Sequence, residues 1–256
     1  MVWTLGILLL AGTDSQAQEI LSNVSGSVSN ALVSGVNAEH QNIYDDLTAS
    51  LGYNWTEDIS ASLGLGLVKS FTQEAKTLMK DMIIGIAHRN LYTHADTDIR
   101  LRGFSRLFLP TSTESRNRSQ VLALKTGLGL SKDIDSFMLG YELAGSYFAN
   151  RFRTAKNGSS NKHYGMTNTV TVGYQFSAPL SFNTVWSLLN FKTYNETPKT
   201  TFSFIQELSY SVSPRMNLTG GLSTGGRQYR NNGEELNLSL FDVEGTEIFL
   251  GVDLSI

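Results

Sequence analysis

Between Ile43 and Val68 the chain alternates with a period of two, turns, and alternates again. Ile43, Leu47, Ala49, Leu51, Tyr53 and Trp55 share one parity, and Tyr44, Asp46, Thr48, Ser50, Gly52 and Asn54 hold the other. Asn54-Trp55-Thr56-Glu57-Asp58 is short and polar enough for a turn, after which Ile59, Ala61, Leu63, Leu65 and Leu67 alternate with Ser60, Ser62, Gly64 and Gly66. Successive side chains of a strand point to opposite sides, so this pattern predicts two β-strands. Each arm is about ten residues long, the length a tilted strand needs to cross a bilayer. The Leu/Ile/Ala face suits lipid and the Ser/Gly/Thr/Asn face suits a wet interior. The pair reads as one hairpin of a transmembrane barrel.

The rest of the composition permits that reading and closes others. No run of about twenty apolar residues exists for a membrane helix, but a barrel needs only alternate residues to be apolar. The 23 Gly, 13 Phe and 10 Tyr against 4 Pro favour strands over helices. Cysteine is absent, which excludes a lipid-anchored lipoprotein and a disulfide framework. A net charge of −3 provides no electrostatic footprint for nucleic acid. At the start, the apolar segment Val2–Gly12 followed by Ser15-x-Ala17 predicts a signal peptide over residues 1–17, although no Lys or Arg precedes it. Residues 18–256 then form a single domain.

The alternation recurs along that domain. Val24, Val28, Leu32 and Val36 mark a strand over about 24–36, followed by the loop Asn37–Asn42 and the hairpin above. The polar stretch Lys69–Lys80 leads to a strand over Asp81–Tyr92, whose parity stays open because Ile83 opposes Ile84. Further strands are predicted over Asp98–Leu109, around Leu122–Leu130, from Phe137 to Tyr147, over Tyr164–Phe176 and Leu180–Lys192, from Phe202 to Val212, from Met216 to Leu222, and from Ile248 to Ile256. The stretches Pro110–Ser119, Asn150–His163, Thr193–Lys199 and Gly225–Gly245 read as long polar loops; the connections between them are short. The sum is an all-β, twelve-stranded antiparallel transmembrane β-barrel. Short periplasmic turns alternate with longer extracellular loops. All four prolines are placed between strands, where a missing N–H harms no ladder.

The whole mature chain resembles Gram-negative outer-membrane β-barrel proteins of the twelve-stranded type. Ile248-Phe249-Leu250-Gly251-Val252-Asp253-Leu254-Ser255-Ile256 is similar to the C-terminal strand that barrel-assembly machinery recognises, with Ile256 where the family usually has an aromatic residue. Tyr53, Trp55, Tyr174, Phe176 and Tyr210 stand beside short turns, as an interfacial aromatic girdle requires. The resemblance implies an outer-membrane location with both termini periplasmic. It also implies contact with outer-membrane lipid and lipopolysaccharide, assembly through the last strand, and no cofactor.

Charged residues on the inward parity are the candidate working surface. Arg100, Arg102 and Arg106 share one face of a strand whose other face carries Ile99, Leu101, Leu107 and Leu109. An Arg turned to lipid costs about 2–4 kcal/mol at mid-depth, so these face the lumen. Lys125 and Glu142 fall on the inward parity of the next two strands. Two readings follow: a porin-like channel for small polar or anionic solutes, or a closed barrel plugged by Arg–Glu pairs that acts through its outer loops. Enzyme chemistry has little to stand on. His40, His94 and His163 fall in loops or turns, His88 in a strand with no evident Ser partner, and there is no H-E-x-x-H spacing. Glu39-His40 and Glu234-Glu235 are the residues an outer-loop hydrolase would have to use. Arg116, Arg118, Arg151, Arg153, Lys156, Lys162, Arg227 and Arg230 make the outer loops basic, suited to lipopolysaccharide phosphates.

Overall fold

A computed structural model describes residues 23–37, 42–72, 75–227, 241–242 and 245–256. The signal-peptide expectation, His40 with Glu39, and Glu234-Glu235 lie outside them. Each period-two segment becomes a strand, and the short β4 is added to them: β1 (Val24–Gly35), β2 (Ile43–Asn54), β3 (Ile59–Ser70), β4 (Thr77–Met79), β5 (Met82–Thr93), β6 (Arg100–Leu109) and β7 (Gln120–Ile134). They continue as β8 (Phe137–Asn150), β9 (Lys162–Ser177), β10 (Leu180–Thr193), β11 (Pro198–Ser213), β12 (Met216–Arg227) and β13 (Thr246–Ser255). All pairings are antiparallel between neighbours in sequence, except that β3 pairs with β5 past the short β4, and that β1 also pairs with β13, from Ser27↔Ser255 to Gly35↔Glu247. This closes twelve strands into a ring, with the short β4 lying on the loop end of β3. A closed ring satisfies every ladder internally and leaves no edge, which is what a bilayer demands of a strand protein.

The two faces separate as the alternation requires. Leu63, Leu65, Leu67, Leu128, Leu130, Leu139, Leu143, Ile248 and Leu250 are exposed on the outside. Buried apolar residues among those described are only Val33, Ala123, Ala144, Phe191 and Phe202, since the interior is lined by polar side chains instead of an apolar core. The open parity of β5 is resolved: Ile84 and Ile86 are exposed outward, and Ile83 turns inward opposite Gly64. Among the described residues no helix is long and apolar enough to cross a membrane.

Several boundaries differ from the sequence expectation. Lys69–Lys80 is not wholly a loop, because β3 runs on to Ser70 and β4 pairs back onto Leu67–Lys69. Between Gly64 and Leu67 β3 advances three residues while its partner runs four, from Ile83 back to Met79. The extra residue makes a β-bulge that turns both Lys80 and Asp81 inward. Pro110–Ser119 contains a short helix, α1 (Thr113–Asn117), whose N-cap Ser112 accepts a hydrogen bond from the Ser115 N–H at 3.1 Å. Pro198 is the first residue of β11 and not a loop residue, a position that needs no N–H donor. The β7–β8 connection shrinks to Asp135-Ser136, with Asp135 at φ 50°.

Candidate functional site in the barrel lumen

Strand β6 presents Arg100, Arg102, Phe104, Arg106 and Phe108 inward, because Leu101 and Leu107 pair with the exterior residues Leu130 and Leu124 of β7. Arg106 stands directly across from Lys125, and Phe104 across from Gly127. Glycine is required there. A Cβ on Gly127 would come within 2.8 Å of the Phe104 ring and 2.7 Å of the Leu143 carbonyl. The ring seated in that slot holds two cations against its face, the Arg106 guanidinium at 4.9 Å and the Lys125 ammonium at 5.8 Å from its centroid. The Glu142 carboxylate accepts from Arg102 at 3.3 Å and from Lys125 at 3.5 Å. Arg100 pairs with Asp133 one strand over. All five sequence-predicted residues therefore fall on the contiguous strands β6, β7 and β8. Arg102, Lys125 and Glu142 form one cluster, while Arg106 has no carboxylate partner among the described residues.

Glu142 and Lys125 are largely shielded, with side chains 15% and 20% exposed. Replacing Glu142 with Gln keeps the shape and removes the only charge between two cations. The expected loss of stability is about 1 kcal/mol, since these groups remain partly hydrated. The check is a urea titration of the refolded barrel at low and high KCl, with the deficit shrinking as salt screens the cations.

A second charged wall stands opposite the first. Going round the ring, β12 lies six strands from β6, and its neighbours β11 and β13 carry carboxylates on the inward parity. Glu207 pairs across from Gly221 and Asn183, Glu247 accepts from the Tyr44 hydroxyl at 2.8 Å, and Asp253 accepts from Ser29. Glu207 and Asp253 flank β12, across from its Gly221 and Asn217. Further round, the bulge residue Lys80 places its ammonium 2.6 Å from both oxygens of Asp46. The sequence reading missed these residues as site residues. Their signal was available in the parity of Glu207, Glu247 and Asp253, each on the opposite face from exterior Leu208, Ile248 or Leu254.

The long-loop end of the barrel is partly built by α1. Asp81 accepts from the Ser112 N–H at 2.9 Å and from the Ser115 hydroxyl, tying the β6–β7 loop to the bulge. Asn161, fully buried, donates to the carbonyls of Arg118 at 2.7 Å and Phe152 at 2.9 Å, joining the next loop to it. Between these loops and the wall is a cavity of about 460 Å³ bounded by Lys80, Asp81, Glu114, Arg118, Phe148 and Lys162. Lys162 holds its ammonium 4.6 Å from the centre of the Phe191 ring. The described histidines do not meet. His88 pairs across from Ile59 beside a turn, His94 lies in the next turn, and His163 stacks on Tyr194 at 4.2 Å. Among the described residues no three metal-ligating side chains come together.

A closed ring of twelve antiparallel strands, apolar outside and charged within, has the architecture of a transmembrane β-barrel. No family model matches the chain, and no curated protein is significantly similar to it in sequence. Solved structures are similar over almost the whole length. The COG4313 outer membrane channel from Pseudomonas putida F1 superposes with a TM-score of 0.61 at 11% identity, covering 91% of this chain and 95% of that one. The NanC porin gives 0.59 at 14% identity, over 90% and 98%. The KdgM porin, solved in complex with disordered oligogalacturonate, gives 0.53 at 11%, over 90% and 99%. At these identities the likeness is one of fold.

Proposed function

We propose that this protein is an outer-membrane channel through which small polar solutes, anionic ones included, pass passively along Arg100, Arg102, Arg106, Lys125 and Glu142. The observation that carries this reading is the Arg106–Phe104–Lys125 arrangement, which presents two cations over one ring with Arg106 free of any carboxylate among the described residues. Cations held on a low-dielectric wall raise the local concentration of anionic solutes. The fold's likeness to channels supports passage, and one porin of this fold has been solved with an oligogalacturonate, an anionic sugar chain. On this reading residues 1–17 direct export, β13 engages the barrel-assembly machinery, and loop cations such as Arg116, Arg151 and Arg153 meet lipopolysaccharide.

Single-channel recording of the refolded protein in a planar bilayer under a KCl gradient tests it. The expected result is a steady current whose reversal potential moves toward cation selectivity when Arg102 and Arg106 are replaced by Ser. A barrel that is folded by heat-modifiable mobility but passes no current overturns the proposal in favour of a closed barrel working through its outer loops. The ion pairs around Glu142 are the feature that would plug it.

A further inference from the structure

We infer that the lumen is built for solutes that carry a positive and a negative group together, such as free amino acids, and not for simple anions. The inference rests on the channel reading and concerns what the channel prefers. It follows from where charge remains once the internal ion pairs have been formed. On the β6–β8 side, Asp133 neutralises Arg100, and Glu142 is shared by Arg102 and Lys125, so that cluster stays net positive. Arg106 adds a cation with no carboxylate partner among the described residues. On the β11–β13 side, Glu207, Glu247 and Asp253 have no Lys or Arg partner among the described residues. Glu247 accepts from the Tyr44 hydroxyl and Asp253 from the Ser29 hydroxyl. Asp46 on β2 is already matched by Lys80.

These residual charges face one another. Strand β12 lies across the ring from β6, and among its residues whose side chains are described Asn217, Thr219, Gly221, Ser223 and Gly225 fall on the inward parity, so along that length the carboxylates of the flanking strands define the wall. The depths match as well. Arg106 stands seven residues above Ile99, at the end of one short turn, and Glu207 stands seven residues above Pro214, in another. With a common strand tilt, equal residue counts mean equal height. A solute at that level sits between a cationic and an anionic wall inside a low-dielectric shell, where field lines run across the pore instead of along it. Such a field does little for a simple ion, since what one wall attracts the other repels. A zwitterion gains at both ends by turning its carboxylate to Arg106 and its ammonium to Glu207 and Asp253. Uncharged solutes of similar size gain at neither.

The experiment combines reversal potentials with swelling of proteoliposomes in L-glutamine, a zwitterion, and in arabinose, a neutral solute of comparable mass. The wild-type protein is expected to show weak ion selectivity and a glutamine-to-arabinose rate ratio above one. The Glu207→Gln/Asp253→Asn double variant is expected to become anion-selective and to lose at least threefold in that ratio. Arg106→Gln should become cation-selective with a similar loss. Heat-modifiable mobility confirms that each variant is folded. Strong anion selectivity in the wild type, or a ratio that neither variant changes in a conducting barrel, overturns this inference and leaves the channel reading standing. A folded wild-type barrel without current overturns the channel reading itself.

Discussion

Replacing Leu128 with Arg is expected to cost about 2–4 kcal/mol of stability in lipid, whereas the same change at Val212 should cost about 0–1 kcal/mol. Both residues are outward-facing and similarly exposed, 52% for Leu128 and 51% for Val212. They differ in depth. Leu128 stands in the middle of β7, between Gly103 and Leu143 on the flanking strands, and Val212 is two residues from the Pro214 turn. A guanidinium at mid-depth must be dragged from water into hydrocarbon, while one near the rim extends its stem and keeps its head hydrated. Leu128→Met, which changes neither charge nor bulk appreciably, should be close to silent. Reversible urea unfolding in vesicles reads the three variants. Equal costs at Leu128 and Val212 would mean that the outer apolar band does not face lipid.

The second large effect is expected at Gly221. Its position on β12 is inward, and a Cβ there would lie 2.0 Å from the Gln206 carbonyl oxygen and 2.7 Å from the Phe249 ring. The contact on one side is backbone, and the ladders Glu207↔Gly221 and Gly221↔Phe249 hold the strand on both sides. Neither neighbour can withdraw without opening a seam. Gly221→Ala should therefore lose roughly 2–3 kcal/mol by overpacking and reduce the heat-modifiable, folded fraction. Gly145→Ala is the matched control, since nothing lies within 4 Å of the added carbon. Equal stability for the two alanine variants would contradict the tight approach at Gly221.

How far these features could be read beforehand depended on how local their causes are. Strand faces are set by alternation, so the exterior of β3, β7, β8 and β13 followed directly from Leu and Ile spacing. Strand β5 resisted because Ile83 and Ile84 are adjacent and both apolar; the space over Gly64 on the neighbouring strand takes Ile83 inward. Neither β4 nor α1 has a pattern of its own. Thr77–Met79 is a strand because the loop end of β3 offers it partners, and Thr113–Asn117 is anchored by Asp81, a residue 31 to 34 positions earlier. The cationic wall was legible because its charges alternate with leucines on strands adjacent in sequence. The acidic wall was legible only as inward-facing residues. That it stands across from the arginines is a property of a ring, and only the order of strands around the closed barrel assigns it.

The seam between β1 and β13 gives the barrel a built-in proofreading step. Every other join in the ring links strands that follow one another along the chain or, for β3 and β5, are parted only by the short β4, so each can zip as soon as its hairpin exists. The β1–β13 join runs from Ser27↔Ser255 to Gly35↔Glu247, and β1 has no second partner until β13 arrives. A chain cut short before β13 would leave β1 without its second partner. It would be left as an open sheet with two unpaired edges, the form most prone to stick to other copies and to be cleared. Closure thus works as a length check, in which only a chain translated through its last strand can leave the assembly line as a finished cylinder.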